Sequence, residues 1–134
     1  MKNFISTIAY LLNSNGIEYL VVGGAARQFY QKKHRTKDLD ILIYNDDENT
    51  KKLQAILGND KVIEEFKLGT IIRIVGEPYN IDFLPILDGV KHQKAKKRKK
   101  QFIHNQTVID IIDKDDLELN LQTVQKRLNG TIKI

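Results

Sequence analysis

Apolar residues recur along this chain at two spacings, and short runs of Gly, Asn and Asp separate the segments that carry them. Apolar positions three or four residues apart predict helices with one buried face, whereas short β-branched apolar runs predict strands. Helical spacing is found in residues 3–13, 25–32, 46–57 and 113–129. Strand patterns are found in residues 19–22, 38–44, 61–66, 70–75 and 79–84, with one or two more short strands within 101–112. This order of helices and strands predicts an α/β (α+β) fold, in which helices flank a small mixed β-sheet.

Two aspartates interrupt the apolar strand at residues 38–44. Side chains alternate along a strand, so Asp38 and Asp40 lie on one face, roughly 6.5–7 Å apart along the backbone. Aspartate is disfavoured in strands, and two on one face of an apolar strand therefore need a reason. One explanation is a solvated edge strand. The other, which we favour, is a site for a hard cation such as Mg²⁺, which prefers carboxylate oxygens.

A third aspartate, Asp82, lies within the apolar segment at residues 79–84. An unpaired charge buried there would be costly, so this carboxylate needs a partner. It would complete a two-metal site with Asp38 and Asp40. Alternatively, it is a strand-end acid paired with a nearby cation such as Arg73.

Gly23 and Gly24 follow the strand at residues 19–22 and precede a predicted helix. Glycines at such a junction let backbone N–H groups approach a phosphate, which the helix N-terminus also attracts. A tight turn without a ligand would show the same pattern. Arg27 and Arg35 follow the glycines, and either bind a triphosphate or pair with the aspartates of the neighbouring strand.

Composition restricts the class of protein. The chain has 134 residues, 41% hydrophobic and 29% charged, with no cysteine and a net charge of +5. This is typical of a single globular domain covering residues 1–134, and the absence of cysteine fits a cytoplasmic location. No apolar run reaches the roughly 18 residues that span a membrane, and the N-terminus lacks the features of a signal peptide.

Most of the excess charge lies in one segment, residues 91–100, which is predicted to be either a helix or a mobile loop. Seven of its ten residues are basic: Lys91, Lys94, Lys96, Lys97, Arg98, Lys99 and Lys100. Such a run is either a solvated face or an arm that binds a polyanion such as RNA. Because it follows Asp82 closely in a small domain, we expect it near the rim of the carboxylate site.

These motifs together resemble the DNA polymerase beta-type nucleotidyltransferases. The family signature is an apolar residue and a glycine pair, then Asp-apolar-Asp-apolar, matched here by Val22-Gly23-Gly24, thirteen residues, and Asp38-Leu39-Asp40-Ile41. The family's later strand carboxylate is matched by Asp82. The frequent Arg-Thr-x-Asp approach is matched by residues 35–38, and an arginine after the glycines by Arg27. The similarity covers roughly residues 15–120.

The resemblance implies a stand-alone enzyme that transfers a nucleoside monophosphate from a nucleoside triphosphate to a hydroxyl acceptor, with two Mg²⁺ ions. The implied metal ligands are Asp38, Asp40 and Asp82, and Asp82 would also receive the acceptor's proton. The implied triphosphate contacts are Gly23, Gly24, Arg27 and Arg35. The sequence departs from the family in having Ala25 where a serine is frequent, and in showing no helical acceptor domain. The alternative function is a non-catalytic nucleotide-binding or regulatory module that works with a partner protein, as in toxin–antitoxin pairs.

Overall fold

The structure, a computed structural model, describes residues 1–123 and 130–134. Its helices are α1 (Lys2–Ser14), α2 (Gly23–Tyr30), α3 (Asp47–Leu57), α4 (Val62–Lys67), α5 (His92–Arg98) and α6 (Lys114–Thr123). Its strands are β1 (Tyr19–Val22), β2 (Asp38–Ile43), β3 (Ile71–Ile74), β4 (Asn80–Leu84), β5 (Lys100–His104), β6 (Thr107–Ile111) and β7 (Thr131–Lys133). In this part of the chain, none of the helices is long and apolar enough to cross a membrane.

The described strands form one mixed sheet in the order β5-β6-β1-β2-β4-β3-β7. The pairs β1–β2, β3–β4 and β5–β6 are antiparallel, and β1–β6, β2–β4 and β3–β7 are parallel. The predicted α/β class with a small mixed sheet is therefore confirmed. The parallel β2–β4 pair requires a long crossover, which α3, α4 and β3 provide.

The centre of the sheet is apolar on both faces. All four residues of β1 are buried, as are Leu39, Ile41, Leu42 and Ile43 of β2. A continuous apolar run is typical of a strand covered on both sides. Asp38 and Asp40 are therefore polar exceptions at the first half of an otherwise buried strand.

Two predicted elements are corrected. Residues 61–66 were predicted to be a strand, but residues Val62–Lys67 form α4. Val62 and Phe66 are buried four positions apart while Glu64 is exposed, and this is helical spacing rather than alternation. Gly23 and Gly24 begin α2 instead of preceding it. The helix predicted for residues 113–129 is α6 as far as Thr123, and residues 124–129 of that prediction lie outside the described residues.

Candidate active site

The strand register brings the three predicted aspartates together. In the parallel β2–β4 pair, Asp40 lies opposite Asp82, and Asp38 lies opposite Asn80. Directly opposite residues point to the same face of a sheet, and neighbouring strands are about 4.8 Å apart. Asn80 also donates a hydrogen bond of 3.1 Å from its side-chain amide to Oδ1 of Asp38. The three carboxylates therefore share one face, with Asn80 orienting Asp38.

Arg73 on β3 binds Asp82 through both carboxylate oxygens. Its Nε donates to Oδ1 and its Nη2 donates to Oδ2, each at 2.7 Å. Asp82 is 6% exposed. This is the ion pair that the sequence analysis gave as the alternative for Asp82, and it satisfies a carboxylate that would otherwise be costly to bury. Each oxygen still has a second lone pair, so the pair does not exclude a further ligand.

Asp40 has the most perturbed carboxyl group of the cluster. Burial, followed by the negative charges of Asp82 and Asp38, raises the pKa of Asp40 to about 7, and Arg73 opposes the rise only in part. Removing water disfavours the ionised form, and neighbouring carboxylates add to that effect. Asp40 therefore keeps its proton to a higher pH than an ordinary aspartate, chiefly because it is buried.

Gly23 lies directly against Asp40. Its φ is +63°, and a Cβ built on it would overlap Oδ2 of Asp40. Only glycine combines that backbone conformation with so close an approach. The sequence leaves two explanations open for this glycine, phosphate binding and a tight turn without a ligand. The close approach of Asp40 is a further reason for glycine here, and it applies without any ligand.

Gly24 has a different set of neighbours. A Cβ on it would lie 3.1 Å from Nε2 of His34 and 3.1 Å from Cβ of Thr36. The loop before β2 therefore packs against the first turn of α2. No side chain caps the start of α2, so its first N–H groups remain available to a ligand or to solvent.

Gly23→Ala is expected to lower the free energy of unfolding by more than the roughly 1–2 kcal/mol that a left-handed residue with a Cβ costs, because the added methyl must also displace Asp40. Gly58→Ala is the matched control, since Gly58 has φ +62° and nothing within 4 Å of a built Cβ. Urea unfolding of both variants measures the difference. Equal losses in the two variants would show that contact with Asp40 contributes nothing.

The two predicted arginines have different surroundings. Arg27 is 3.5 Å from Glu118 of α6, which links α2 to α6. Arg35 is exposed in the segment before β2. In the described part of the chain, neither arginine forms an ion pair with Asp38 or Asp40. That half of the expectation is wrong, and contact with a triphosphate stays a prediction.

Four of the seven basic residues of the segment pair with carboxylates from other parts of the chain. Lys96 pairs with Glu18 at 2.6 Å, Lys99 with Asp110 at 3.0 Å, and Arg98 and Lys100 with Asp113 at 2.9 and 3.9 Å. Within residues 1–123 and 130–134, the members without an ion pair are Lys91, Lys94 and Lys97.

Lys96, one member of the basic segment, lies away from the carboxylate site that the segment is expected to border. Its ammonium lies 5.3 Å from the ring centroid of Tyr44. Tyr44 follows the last residue of β2, whereas Asp38 begins that strand. A six-residue strand is about 20 Å long, so this part of the basic segment lies at the opposite end of β2 from the aspartates.

The donor set fits a hard cation in part. Among the described residues, no group of three or more His, Asp or Glu side chains is arranged to hold a metal ion. The oxygens of Asp38 and Asp40 are of the type that Mg²⁺ prefers, and burial, followed by the charges of Asp82 and Asp38, raises the pKa of Asp40. Asp82 offers only the lone pairs that Arg73 leaves.

Two residues of this face were missed by the sequence analysis. Asn80 precedes Asp82 by two positions, so alternation along the strand was a sufficient signal to place it on the same face. Lys133 lies opposite Arg73 in the β3–β7 pair. Nothing in the sequence indicated it, because that pairing joins residues 60 positions apart.

Comparison with known proteins supports the fold. No protein-family model matches the sequence, and no curated protein matches it. Among solved structures, the chain is similar to an antigenic nucleotidyltransferase-like protein from Paracoccidioides brasiliensis, with a TM-score of 0.55 and 16% sequence identity. The similarity covers 87% of this chain and 62% of that one, so this chain spans less than two thirds of its length. At this identity the likeness shows a nucleotidyltransferase-like fold and no more.

Proposed function

We propose that this protein is a Mg²⁺-dependent nucleotidyltransferase, which transfers a nucleoside monophosphate from a nucleoside triphosphate to a hydroxyl acceptor. The observation that carries the proposal is the carboxylate cluster on one face of β2 and β4, where Asp40 lies opposite the buried Asp82 and Gly23 packs directly against Asp40. A nucleotidyltransferase-like fold around it adds support. We further propose that the protein acts in the cytoplasm.

The residue roles follow from position. Asp38 and Asp40 would bind two Mg²⁺ ions, and Asp82 would contribute its remaining lone pairs on the acceptor side. Bound Mg²⁺ would neutralise the triphosphate and lower the pKa of the acceptor hydroxyl. Gly23 and Gly24 would hold phosphate oxygens through the first N–H groups of α2. Arg27, three residues after Gly24 in α2, and the exposed Arg35 would contact the triphosphate.

The transfer itself exchanges one phosphorus–oxygen bond for another. The acceptor oxygen bonds to the α-phosphorus, and the bond from that phosphorus to the β-phosphate oxygen breaks, which releases pyrophosphate. The hydroxyl proton passes to Asp82. Such a reaction depends mainly on positioning and charge neutralisation, so the chain needs few other groups at the reacting atoms.

A thermal-shift series tests the nucleotide site. With Mg²⁺ and each of the four ribonucleoside triphosphates in turn, at least one should raise the melting temperature, since ligands that bind only the folded state stabilise it. At 100 times the dissociation constant, the gain is about 2.7 kcal/mol. The Asp38→Asn/Asp40→Asn variant should show no such rise. An equal rise in both proteins would contradict the assignment of the site.

A pyrophosphate-release assay, run beside the thermal-shift series, separates the enzyme from its alternative, a nucleotide-binding or regulatory module that acts with a partner protein. The engagement of both Asp82 oxygens by Arg73 favours that alternative. Nucleotide-dependent stabilisation without pyrophosphate release, across a panel of hydroxyl acceptors, would identify a module.

We also propose that the basic segment binds RNA, but through fewer of its residues than its composition indicates. Lys96, Arg98, Lys99 and Lys100 have carboxylate partners. Contacts to phosphates would therefore come first from Lys91, Lys94 and Lys97, which have none in the described chain.

A further inference from the structure

One row of charged side chains crosses four strands of the sheet. Asp40 lies opposite Asp82, Asp82 opposite Arg73, and Arg73 opposite Lys133. Opposite residues in a ladder share a face, so all four side chains project from the same side. Two acids are therefore followed by two cations, which we call the cationic shelf: Arg73 and Lys133.

Both residues of the shelf retain capacity for a ligand. Lys133 is exposed and has no ion pair in the described chain. The side chain of Arg73 is 33% exposed, and it uses Nε and one hydrogen of Nη2 for Asp82. A guanidinium has five N–H donors, so three remain. Arginine can bind phosphate oxygens in a fork, and lysine adds a point charge.

The shelf lies on the acceptor side of the cluster. Gly23 and α2 lie next to β1, on one side of Asp40, whereas β3 and β7 lie on the other side. The attacking and leaving oxygens of a phosphoryl transfer are roughly in line. If the glycines hold the triphosphate, the acceptor hydroxyl must therefore approach over β4, β3 and β7. Val75, the residue that follows β3, is 59% exposed.

We propose that the cationic shelf binds a phosphate group of the acceptor, and that the acceptor is therefore a hydroxyl compound with a phosphate near its reacting oxygen. This inference rests on the proposed function. Lys133 lies two strands from Asp82, about 10 Å away, so the phosphate sits within about that distance of the reacting hydroxyl. A phosphodiester-linked nucleotide and a sugar phosphate both meet this condition.

The test measures binding without Mg²⁺ or nucleoside triphosphate. The dinucleotide UpU is compared with uridine, and ribose 5-phosphate with ribose, by NMR titration of the ¹⁵N-labelled protein. The phosphate-bearing compounds should shift the Nε–H resonance of Arg73 and the amide of Lys133, and their parents should not. Lys133→Gln should weaken binding about three- to ten-fold, as expected for the loss of one solvent-exposed hydrogen bond. Lys51→Gln, which removes an exposed lysine of α3 without an ion pair in the described chain, should leave it unchanged.

Each outcome decides the proposal. Binding of UpU alone identifies a phosphodiester chain as the acceptor, and binding of ribose 5-phosphate alone identifies a sugar phosphate. Equal effects of the two lysine variants, or equal binding of compounds with and without phosphate, would contradict phosphate binding by the cationic shelf. Lys133 would then be an edge-strand lysine that prevents pairing with another strand. Because the titration omits nucleoside triphosphate, a failed thermal shift would reject the proposed function alone.

Discussion

Asp82→Asn is expected to lower the free energy of unfolding of the metal-free protein by about 2–3 kcal/mol. Breaking a buried ion pair from one side typically costs 3–5 kcal/mol, and the partial exposure of Arg73 places the effect below that range. The substitution keeps the shape but replaces one accepting oxygen with an amide donor that faces the guanidinium. Urea unfolding at pH 7 measures the loss.

Asp38→Asn is the matched control, because it removes the same charge from the same face. Asp38 accepts a single side-chain bond, from Asn80, so its loss should change stability by less than about 1 kcal/mol. Repulsion among three carboxylates alone would predict that Asp82→Asn stabilises the protein. Wild-type stability for Asp82→Asn would therefore show that Arg73 does not hold Asp82 in place.

The contrast between these two aspartates shows how far the sequence could predict the site. Alternation along β2 correctly placed Asp38 and Asp40 on one face, because that inference needs only a strand. The position of Asp82 depends on the register between β2 and β4, and the Arg73 pair depends on the register between β3 and β4. Register is set by the packed fold, so local pattern could offer these only as alternatives.

The basic segment shows the same limit for charge. Its composition correctly indicated a cationic stretch, but its partners are Glu18, Asp110 and Asp113, which lie elsewhere in the sequence. A local count of charges could not show that these carboxylates neutralise it. Conversely, Lys133 is an isolated lysine in the sequence, and it becomes part of a charged row only because β7 pairs with β3.

The strand predicted at residues 61–66 is wrong for a local reason. Residues 61–66 contain two β-branched residues beside a phenylalanine, which favours a strand by composition. Burial of Val62 and Phe66 on one side, together with Glu64 and Glu65 in the first turn, favours a helix. The segment is six residues long, and so short a run does not distinguish the two periods.

Asp40→Asn is expected to change stability in the direction opposite to Asp82→Asn. The pKa of Asp40 rises from 3.8 to about 7 on folding, so the folded state binds more protons than the unfolded state between those pH values. The contribution of this carboxyl to the free energy of unfolding is fully present below pH 3.8 and is lost as the pH rises to about 7. The loss is at most about 4 kcal/mol, and the asparagine variant should not show it.

The measurement is the free energy of unfolding of metal-free protein from pH 4 to pH 8, for wild type and Asp40→Asn. The two curves should meet near pH 4 and diverge as pH rises, with the variant more stable at pH 8. Adding Mg²⁺ and nucleoside triphosphate should reverse the order, because only wild type keeps the ligands that bind them. If Asp40→Asn is instead destabilised at every pH, the carboxyl supports the fold itself. If Asp40→Asn gains stability without ligand and no longer responds to Mg²⁺ and nucleoside triphosphate, the buried Asp40 carboxylate lowers the stability of the free protein and is needed to bind these ligands.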